Sequence, residues 1–454
     1  MLKKLPLKYQ ILLAIVSFAC VAGINYYSKN SDITTFKGAL NQAKKGNADA
    51  QFNVGLMYYN GINTAVDKRE ARSWFLKAAE QGQPKAQFNV GLMFNRAEGG
   101  EADKAQARRW FVKAAEQQMA DAQLNAAVMF YSGEGGPVDK VQARNWFIKA
   151  SENGYKTAQY NCALMLQTGD GGPVDLVQAR HWYLKSAEQG HEPAQNNLAS
   201  MYREGQGGPV DEAQARLWYE KAGQQGNVSA QNSLAAMYYS GQGGPVDMAQ
   251  AKLWFQKAAE QGNFDAQFNL GNMLLFGPGG EAEKAQARQW YLKAAQQGMA
   301  LAQYNVGLMY SQGLGGPEDA LEARQWLYKA AEQAIPMAQY HLANSFFTGS
   351  GGPVDLAQAR FWFQRAAEQG VALAQVGLGA MCYSGQGGPV DMAQARDWFL
   401  KASEQGAVNA QYNLAAMYYK GEGGPVDLAQ AKFWFSRAAN QGHEPAKKAL
   451  ERLS

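Results

Sequence analysis

Hydrophobic and polar positions along this chain follow a pattern that repeats every 36 residues. The tryptophans show it most simply, because all eleven lie at this spacing, from Trp74 to Trp434. A fixed period of this size indicates identical supersecondary units stacked in a row. We therefore expect eleven stacked units rather than one globular core.

The first half of each unit predicts an amphipathic helix, here called helix A, which spans 49–59 in the first unit. Ala50, Val54, Met57 and Tyr58 share one face of such a helix. The position equivalent to 55 is glycine or alanine in every unit. A small residue there allows a neighbouring helix to approach closely.

The second half of each unit predicts helix B, which begins after an aspartate. Asp139 followed by Gln142 is typical of a capping box. In that motif the carboxylate accepts from the backbone N–H three residues on, and the glutamine bonds back to the backbone N–H of the aspartate. Trp74 and Phe75 belong to the apolar stripe of this helix, and Gly82 is expected just beyond its end.

A glycine-rich segment, Gly133–Pro137 and its copies, joins the two helices. We interpret it as a fixed turn whose glycines adopt positive φ, because no Walker-type Lys-Ser/Thr follows it. Glu283 is expected to replace the capping aspartate in the seventh unit. Gln118 and Ala334 replace the glycine after helix B in two units.

The repeated motifs resemble those of the Sel1-like repeat family, a relative of the tetratricopeptide repeats. The segments that carry the resemblance include Ala410–Tyr418 and Gly421–Ala431, and the likeness extends over residues 33–453. It implies an all-α, right-handed α/α superhelical solenoid of eleven helix-turn-helix repeats with terminal capping helices. Family members act as adaptors in protein complexes, often in the bacterial envelope. The disulfide of the cysteine-rich subgroup is missing, so its penicillin binding is not expected.

We divide the chain into four parts on this basis. Residues 1–27 are a signal peptide or an N-terminal membrane anchor, and 28–47 are a linker and an N-terminal capping helix. Residues 48–442 are the eleven repeats, and 443–454 form a C-terminal capping helix.

The N-terminus predicts export. Lys3, Lys4 and Lys8 precede the apolar run Ile11–Ile24, which is shorter than the roughly 20 residues of a spanning helix. A cleaved signal and an uncleaved tether both remain open, and a lipoprotein at Cys20 is a weaker alternative. All three place the repeats outside the cytoplasm, in the periplasm or secreted.

The net charge does not favour a nucleic-acid-binding protein, and the cysteine spacing does not favour a disulfide. The net charge is +4, and the three N-terminal lysines supply most of it, so the near-neutral body does not predict nucleic-acid binding. Cys162 and Cys382 lie about six repeats apart, too far to form a disulfide, and are interpreted as small buried hydrophobes.

Positions that vary between units are the candidates for function. In repeat proteins of this type the varying face of helix A lines the concave surface, and here it carries many aromatic rings. These are Phe52, Tyr59, Phe88, Tyr131, Tyr160, Tyr239, Phe268, Tyr304, Tyr340, Phe347, Tyr383, Tyr412 and Tyr419. Midway the face turns polar at Asn196, Ser200, Arg203 and Asn232. A surface of this kind suits a peptide or a partner helix. Packing of the rings between adjacent repeats is the alternative.

Four recurring polar positions have structural interpretations. Gln51 is predicted to form a buried inter-repeat hydrogen bond. Asn53 either ties a neighbouring loop, which we favour, or clamps a ligand backbone. Arg72 and Lys77 are basic in every copy but are accompanied by acidic residues, which favours a solvated or inter-repeat ion-pair face.

No group of residues in the sequence predicts a catalytic, metal-binding or cofactor-binding site. The histidines are scattered over separate repeats without metal-ligand spacing, and no cofactor motif is present. The sequence therefore predicts a non-enzymatic scaffold that binds a protein or peptide of unknown identity. Glycan or peptidoglycan binding is the alternative, and a hydrolase is the weaker one.

Overall fold

A computed structural model describes residues 35–277 and 280–453. In these two ranges the regular structure is entirely α-helical, which confirms the predicted all-α class. No helix there is long and apolar enough to span a membrane. The predicted signal or anchor lies outside the described residues, so export stays a prediction.

The chain divides into two compact units, one ending at Asp247 and the other beginning at Met248. The helices of unit 1 are α1 (Phe36–Lys44), α2 (Ala48–Asn60), α3 (Lys68–Glu80), α4 (Pro84–Arg96), α5 (Lys104–Glu116), α6 (Ala120–Ser132), α7 (Lys140–Glu152), α8 (Lys156–Thr168), α9 (Leu176–Glu188), α10 (Glu192–Glu204), α11 (Glu212–Gln224) and α12 (Val228–Ser240). Each packs against the helix before it and the helix after it within the unit.

Unit 2 repeats the same arrangement. Its helices are α13 (Met248–Glu260), α14 (Phe264–Phe276), α15 (Gly280–Gln296), α16 (Ala300–Gln312), α17 (Ala320–Glu332), α18 (Pro336–Thr348), α19 (Leu356–Glu368), α20 (Ala372–Ser384), α21 (Met392–Glu404), α22 (Val408–Lys420), α23 (Leu428–Asn440) and α24 (Glu444–Glu451). Each unit by itself is therefore an α/α solenoid of stacked helix pairs.

Within each unit, tryptophans of helix B pack against the helices that precede their own pair. Trp74 joins a cluster with Ala39 and Ala43 of α1, and Trp110 joins one with Phe75 and Ala78 of α3. Most of the indoles are buried, whereas those equivalent to Trp74 in repeats four, seven and ten are half-buried. The predicted burial of the indole between neighbouring pairs is confirmed within each unit.

A buried amide reinforces the same joint. The Nε2 of Gln87 donates to the carbonyl of Ala79 in the preceding repeat (3.2 Å), and its Oε1 accepts from Gln117 (2.7 Å). The side chain of Gln51 makes the equivalent pair of bonds. Because a buried amide left unpaired costs about 1–3 kcal/mol, the invariant glutamine is explained by inter-repeat bonding, as predicted.

The start of helix B confirms half of the predicted capping box. The carboxylate of Asp139 accepts from the N–H of Gln142 at 2.9 Å. The predicted reciprocal bond is wrong, because the N–H of Asp139 donates to the carbonyl of Phe130 at the end of helix A (2.9 Å). The aspartate therefore fixes the two helices of one pair to each other.

The seventh repeat departs from its prediction as well. Helix α15 begins at Gly280, so Glu283 lies inside the first turn and does not cap it. Its carboxylate instead forms an ion pair with Lys252 Nζ at 2.7 Å. An extra helical turn replaces the Pro-Val-Asp entry of most other repeats here.

The glycine after helix B has positive φ, as predicted, with Gly82 at 88°. The two exceptions keep the same conformation, since Gln118 and Ala334 have φ of 64° and 61°. A left-handed conformation costs an L-residue roughly 1–2 kcal/mol. The stack therefore imposes this conformation even where the sequence does not favour it.

A glycine of the turn between helix A and helix B is required because the turn approaches another helix closely. Gly135 has φ of 74°, and a Cβ built there would overlap the carbonyl oxygen of Lys104 in the preceding helix B. The equivalent residue of the first repeat, which only the short α1 precedes, is Asn63 with φ of 57°. The glycine thus allows the turn of one repeat to contact the helix of the repeat before it.

We predict that Gly135→Ala destabilises the protein much more than Gly154→Ala. Both glycines have positive φ, but a Cβ at Gly154 has no atom within 4 Å. Gly154→Ala should therefore cost only the conformational term of about 1–2 kcal/mol, while overpacking adds about 1–3 kcal/mol at Gly135. Urea unfolding of both variants measures the difference, and equal losses would show that the close approach is unimportant.

Candidate partner-binding surface

The thirteen aromatic residues predicted to bind a partner all lie at positions equivalent to 52 and 59 of helix A. Their burial in the structure differs widely. Buried are Phe52, Phe88, Tyr131 and Tyr160; half-buried are Tyr59, Phe268, Tyr304, Tyr340, Tyr383 and Tyr412; exposed are Tyr239, Phe347 and Tyr419. The four buried rings present no surface to a partner, which corrects the prediction for those residues.

The rings at position 52 pack on helix B of their own repeat. The ring centroids of Phe52 and Phe75 lie 5.6 Å apart, and those of Tyr412 and Phe435 lie 5.7 Å apart. Tyr412 also contacts the ring of His443 at 4.8 Å. Aromatic pairs at these distances stabilise a core, so the packing interpretation fits position 52 best.

Three tyrosines at position 59 bond to the next repeat. The hydroxyl of Tyr59 donates to Glu98 (2.7 Å), and that of Tyr383 donates to Glu422 (3.0 Å). Tyr131 donates to Asp170 in the same way at 3.1 Å. Burial, assisted by the neighbouring carboxylate, raises the pKa of Tyr131 to about 12. These hydroxyls therefore connect adjacent repeats.

The exposed rings lack this connection for identifiable reasons. Phe347 has no hydroxyl, and the hydroxyl of Tyr419 forms no hydrogen bond with a described residue. Tyr419 is 49% exposed and Tyr239 is 51% exposed. Whether these residues bind a partner stays a prediction.

Unit 2 carries an exposed apolar row that the sequence pattern alone did not predict. Leu301, Met337 and Leu373 occupy the position equivalent to Asp49 in three successive repeats and are 47%, 36% and 54% exposed. Seven of the other repeats carry Asp, Lys, Thr, Ser or Asn there. That contrast was present in the sequence, and it shows that the stack does not require an apolar residue at this position.

Half-exposed amides occupy the position equivalent to Asn53 on other A helices. Asn53, Asn89, Asn269 and Asn413 have side chains without a hydrogen bond to any described residue. The predicted loop tie is not seen in these copies. Asn125, by contrast, donates to the Asp121 carbonyl of its own helix at 2.7 Å.

The middle of unit 1 is polar, as the sequence indicates, and its side chains form a network. Tyr183 donates to Gln167 at 3.0 Å and accepts from Asn197 at 3.2 Å. Asn196 donates to Asn197 at 3.3 Å. The network occupies the part of helix A where other repeats carry an aromatic ring.

The predicted ion pair is not formed by Arg108 or Arg288 of the position-72 column, whereas Lys252 of the same column pairs with Glu283 of the next repeat at 2.7 Å. The guanidinium of Arg108 lies 3.8 Å from the ring centroid of Phe130 in the next repeat and donates to the carbonyl of Pro137 at 3.0 Å. In unit 2, Arg288 makes the same contacts with Tyr310 (3.6 Å) and Pro317 (3.2 Å). The planar guanidinium satisfies a π face and a carbonyl together, so this column joins adjacent repeats.

The lysine column is solvated, in agreement with one of the two predicted alternatives. Lys77 Nζ is exposed and lies 4.1 Å from the ring centroid of Trp74, one turn earlier on the same helix. Lys113 lies over Trp110 in the same way at 4.3 Å. The lysine stems therefore cover the outer edge of the indoles.

Cys162 and Cys382 are free and buried, as predicted. Burial raises the pKa of Cys162 to about 12, and the thiol is therefore unreactive near neutral pH. Across residues 35–277 and 280–453, no three His, Cys, Asp or Glu side chains are grouped as a metal site would require.

Stacked helix pairs, joined by buried indoles and presenting a varied helix-A face, define an α-helical repeat protein of the scaffold class. The Sel1 repeat family model matches this chain eleven times, and the chain belongs to that family. The matches cover residues 48–83, 84–119, 120–155, 156–191, 192–227, 228–263, 264–299, 300–334, 336–371, 372–406 and 408–443. Repeat proteins of this kind are generally protein-interaction scaffolds.

Solved structures agree with the family. A protective antigen of uropathogenic Escherichia coli strains with an SLR fold is 36% identical to this chain, with a TM-score of 0.74. The match covers 92% of this chain and 90% of the antigen. A Sel1 repeat protein from Oxalobacter formigenes is 32% identical over 68% of this chain and 90% of its own, with a TM-score of 0.53. A search of curated proteins finds no match.

We predict that Arg108 and Phe130 are energetically coupled. In a double-mutant cycle with Arg108→Met and Phe130→Leu, the coupling free energy should be about 0.5–2 kcal/mol, the range of cation–π contacts. Because the ring of Phe130 carries no net charge, most of the coupling should persist in about 1 M salt, where exposed ion pairs are screened. Urea unfolding measures the coupling, and its disappearance in salt would restore the ion-pair interpretation.

Proposed function

We propose that this protein is a non-enzymatic scaffold that binds a peptide or protein partner through helix A of its repeats. The principal contact in unit 2 is a helix-A patch formed by Leu301, Met337, Asn344, Phe347 and Leu373. The observation that carries the proposal is the exposed apolar row on α16, α18 and α20.

The apolar row is exposed without a structural reason. Polar residues such as Asp265 and Asn409 occupy the same position in the flanking repeats of the same unit. Helices α16 and α18 are neighbours, since the rings of Tyr304 and His341 lie 5.9 Å apart. Exposed apolar residues that lie together on one surface favour a site of protein binding.

Polar groups beside the row suit a peptide backbone. The half-exposed amide of Asn344 lies two helical turns after Met337, hence on the same face, and bonds to no described side chain or backbone group. A primary amide both donates and accepts, as does a peptide unit. Phe347, which is 36% exposed, adds aromatic area on α18.

The patch can be removed with residue types that the repeat already tolerates. We predict that Leu301→Thr, Met337→Ser and Leu373→Asn together weaken partner binding by about tenfold or more, because anchoring apolar residues supply most of an interface's free energy. A photocrosslinking amino acid at Phe347 in the native cell, followed by mass spectrometry, identifies the partner and measures the loss.

The matched control replaces three other exposed apolar residues of unit 2. Leu253→Gln, Phe361→Gln and Phe433→Gln change the position where Gln289 and Gln325 already stand. These changes should leave the crosslinked protein unchanged. Equal loss in both triple variants, or recovery of glycan rather than a defined protein, would contradict the proposal.

Tyr412 and Tyr419 lie on the same helix, α22, but differ in exposure, which permits a direct comparison. Tyr419 is exposed, whereas the ring of Tyr412 packs on Phe435. We predict that Tyr419→Ala leaves the melting temperature almost unchanged, while Tyr412→Ala lowers it by several degrees through lost packing. Thermal unfolding of the two single variants measures this, and equal melting temperatures would show that the ring at position 52 is dispensable.

We further propose that the repeats act in the periplasm of a bacterial envelope. The support is the sequence order of Lys3, Lys4 and Lys8 before Ile11–Ile24, which is typical of an export signal. Fractionation of the native cell and mass measurement of the N-terminus test it. A cytoplasmic protein that retains Met1 would contradict this location.

A further inference from the structure

Three successive A helices of unit 2 carry no charged side chain. Helices α16, α18 and α20 contain no Asp, Glu, Lys or Arg, whereas the flanking A helices α14 and α22 carry Asp265 and Lys420. The helix-A patch lies on these three uncharged helices. They therefore offer no ion pair to a charged segment of a partner.

An unusual aromatic stack crosses these helices between repeats eight and nine. The position equivalent to Phe75 is aromatic in every other repeat but is Leu327 in repeat eight, so Tyr304 lacks the helix-B ring on which its copies pack. The ring of Tyr304 instead lies 5.9 Å from that of His341, which lies 5.1 Å from the ring of Tyr340. Eight repeats carry asparagine at the position of His341. Two departures from the repeat pattern thus meet at one joint.

The stack of Tyr304, His341 and Tyr340 adjoins the exposed apolar row. Tyr304 lies one turn after Leu301 on α16, and Tyr340 lies one turn after Met337 on α18. All three residues of the stack are half-buried, so part of each ring is open to solvent. The stack and the apolar row therefore form one surface.

This surface has hydrogen-bond donors that the fold leaves unused. The hydroxyls of Tyr304 and Tyr340, the ring nitrogens of His341 and the side-chain amide of Asn344 form no hydrogen bond with a described residue. Burial lowers the pKa of His341, so its ring is uncharged at neutral pH and keeps one N–H. Four side chains thus offer donors on an uncharged aromatic surface.

We propose that this stack binds a proline-rich segment of the partner in the polyproline II conformation. Such a segment is uncharged, its rings pack on aromatic side chains, and its carbonyls accept hydrogen bonds. Proline has no N–H, so the donors must come from the binding site. Tyr304 and Tyr340 supply both aromatic faces and O–H donors, while His341 and Asn344 supply N–H donors.

Other backbone conformations match these donors less well. An α-helix bonds most of its carbonyls internally, so it would leave the donors without backbone acceptors. A β-strand pairs its N–H groups as well as its carbonyls, usually at the edge of a sheet. The described residues of unit 2 contain no sheet.

The inference rests on the proposed function in that the ligand belongs to a partner that binds unit 2, and it adds the chemistry of the segment. Capped decaproline is the probe, and saturation-transfer NMR titrations with the full chain measure its affinity. A capped Pro-Pro-Lys repeat of similar length tests a charged segment, and a capped, uncharged Ala-Leu-Gln peptide tests a helix. Decaproline should bind at least about tenfold more tightly than either peptide, because only it is both uncharged and rich in free carbonyls.

Two variants remove donors or the stack while keeping the fold. The double variant Tyr304→Phe and Tyr340→Phe keeps both rings, and His341→Asn introduces the residue that most repeats carry. Each should weaken decaproline binding by about fivefold or more, through lost hydrogen bonds or lost stacking, without lowering the melting temperature. Tyr328→Phe removes the hydroxyl of an exposed tyrosine on α17 and is the matched control, which should bind as the wild type does.

Several outcomes would overturn the inference. They are no binding of decaproline, equal binding of the charged or the helical peptide, and unchanged decaproline binding in the Tyr304→Phe and Tyr340→Phe double variant. If crosslinking at Phe347 still captures a partner in these cases, the proposed function stands and only the polyproline site fails. If decaproline binds through these donors while no partner is captured, the site stands and the proposed function fails.

Discussion

The packing of each indole on the helix pair before its own is the interaction on which the rest of this structure depends. Trp110 packs against Phe75 and Ala78 of the preceding helix B. The other recurring residues act at the same joint: Gln87 bonds across it, Arg108 stacks across it, and Gly135 allows the turn to reach the preceding helix. Nearest-neighbour contacts of this kind let a stack grow without a shared centre.

This constraint decides which surface is left for function. The indole and the buried glutamine of the joint keep their residue type, since positions 74 and 51 are Trp and Gln in every repeat. The N-terminal position of helix A, equivalent to Asp49, is free to vary, and it becomes apolar only at Leu301, Met337 and Leu373. A scaffold of this kind thus recognises its partner through residues that contribute little to stability.

The sequence predicted the helices, their period and the buried glutamine, because each is required at every copy and so appears as a column. It did not resolve the aromatic residues at positions 52 and 59, since whether a ring is buried depends on its neighbours. Tyr59 is connected to the next repeat only because Glu98 stands there, and Tyr419 has no such neighbour. The arginine stacking was missed for a related reason: the guanidinium bonds to a backbone carbonyl, which leaves no sequence pattern.

Hydrogen-exchange mass spectrometry of a Trp146→Ala variant tests the joint most directly. Removing a buried indole leaves a cavity costing about 3–5 kcal/mol. If stability comes from contacts between neighbouring helix pairs, amide exchange should accelerate in the pair α6–α7, whose second helix carries Trp146. It should also accelerate in the preceding pair, α4–α5. Helices α1 and α2 should keep their protection. Uniform acceleration through unit 1, or none in the preceding pair, would contradict this account.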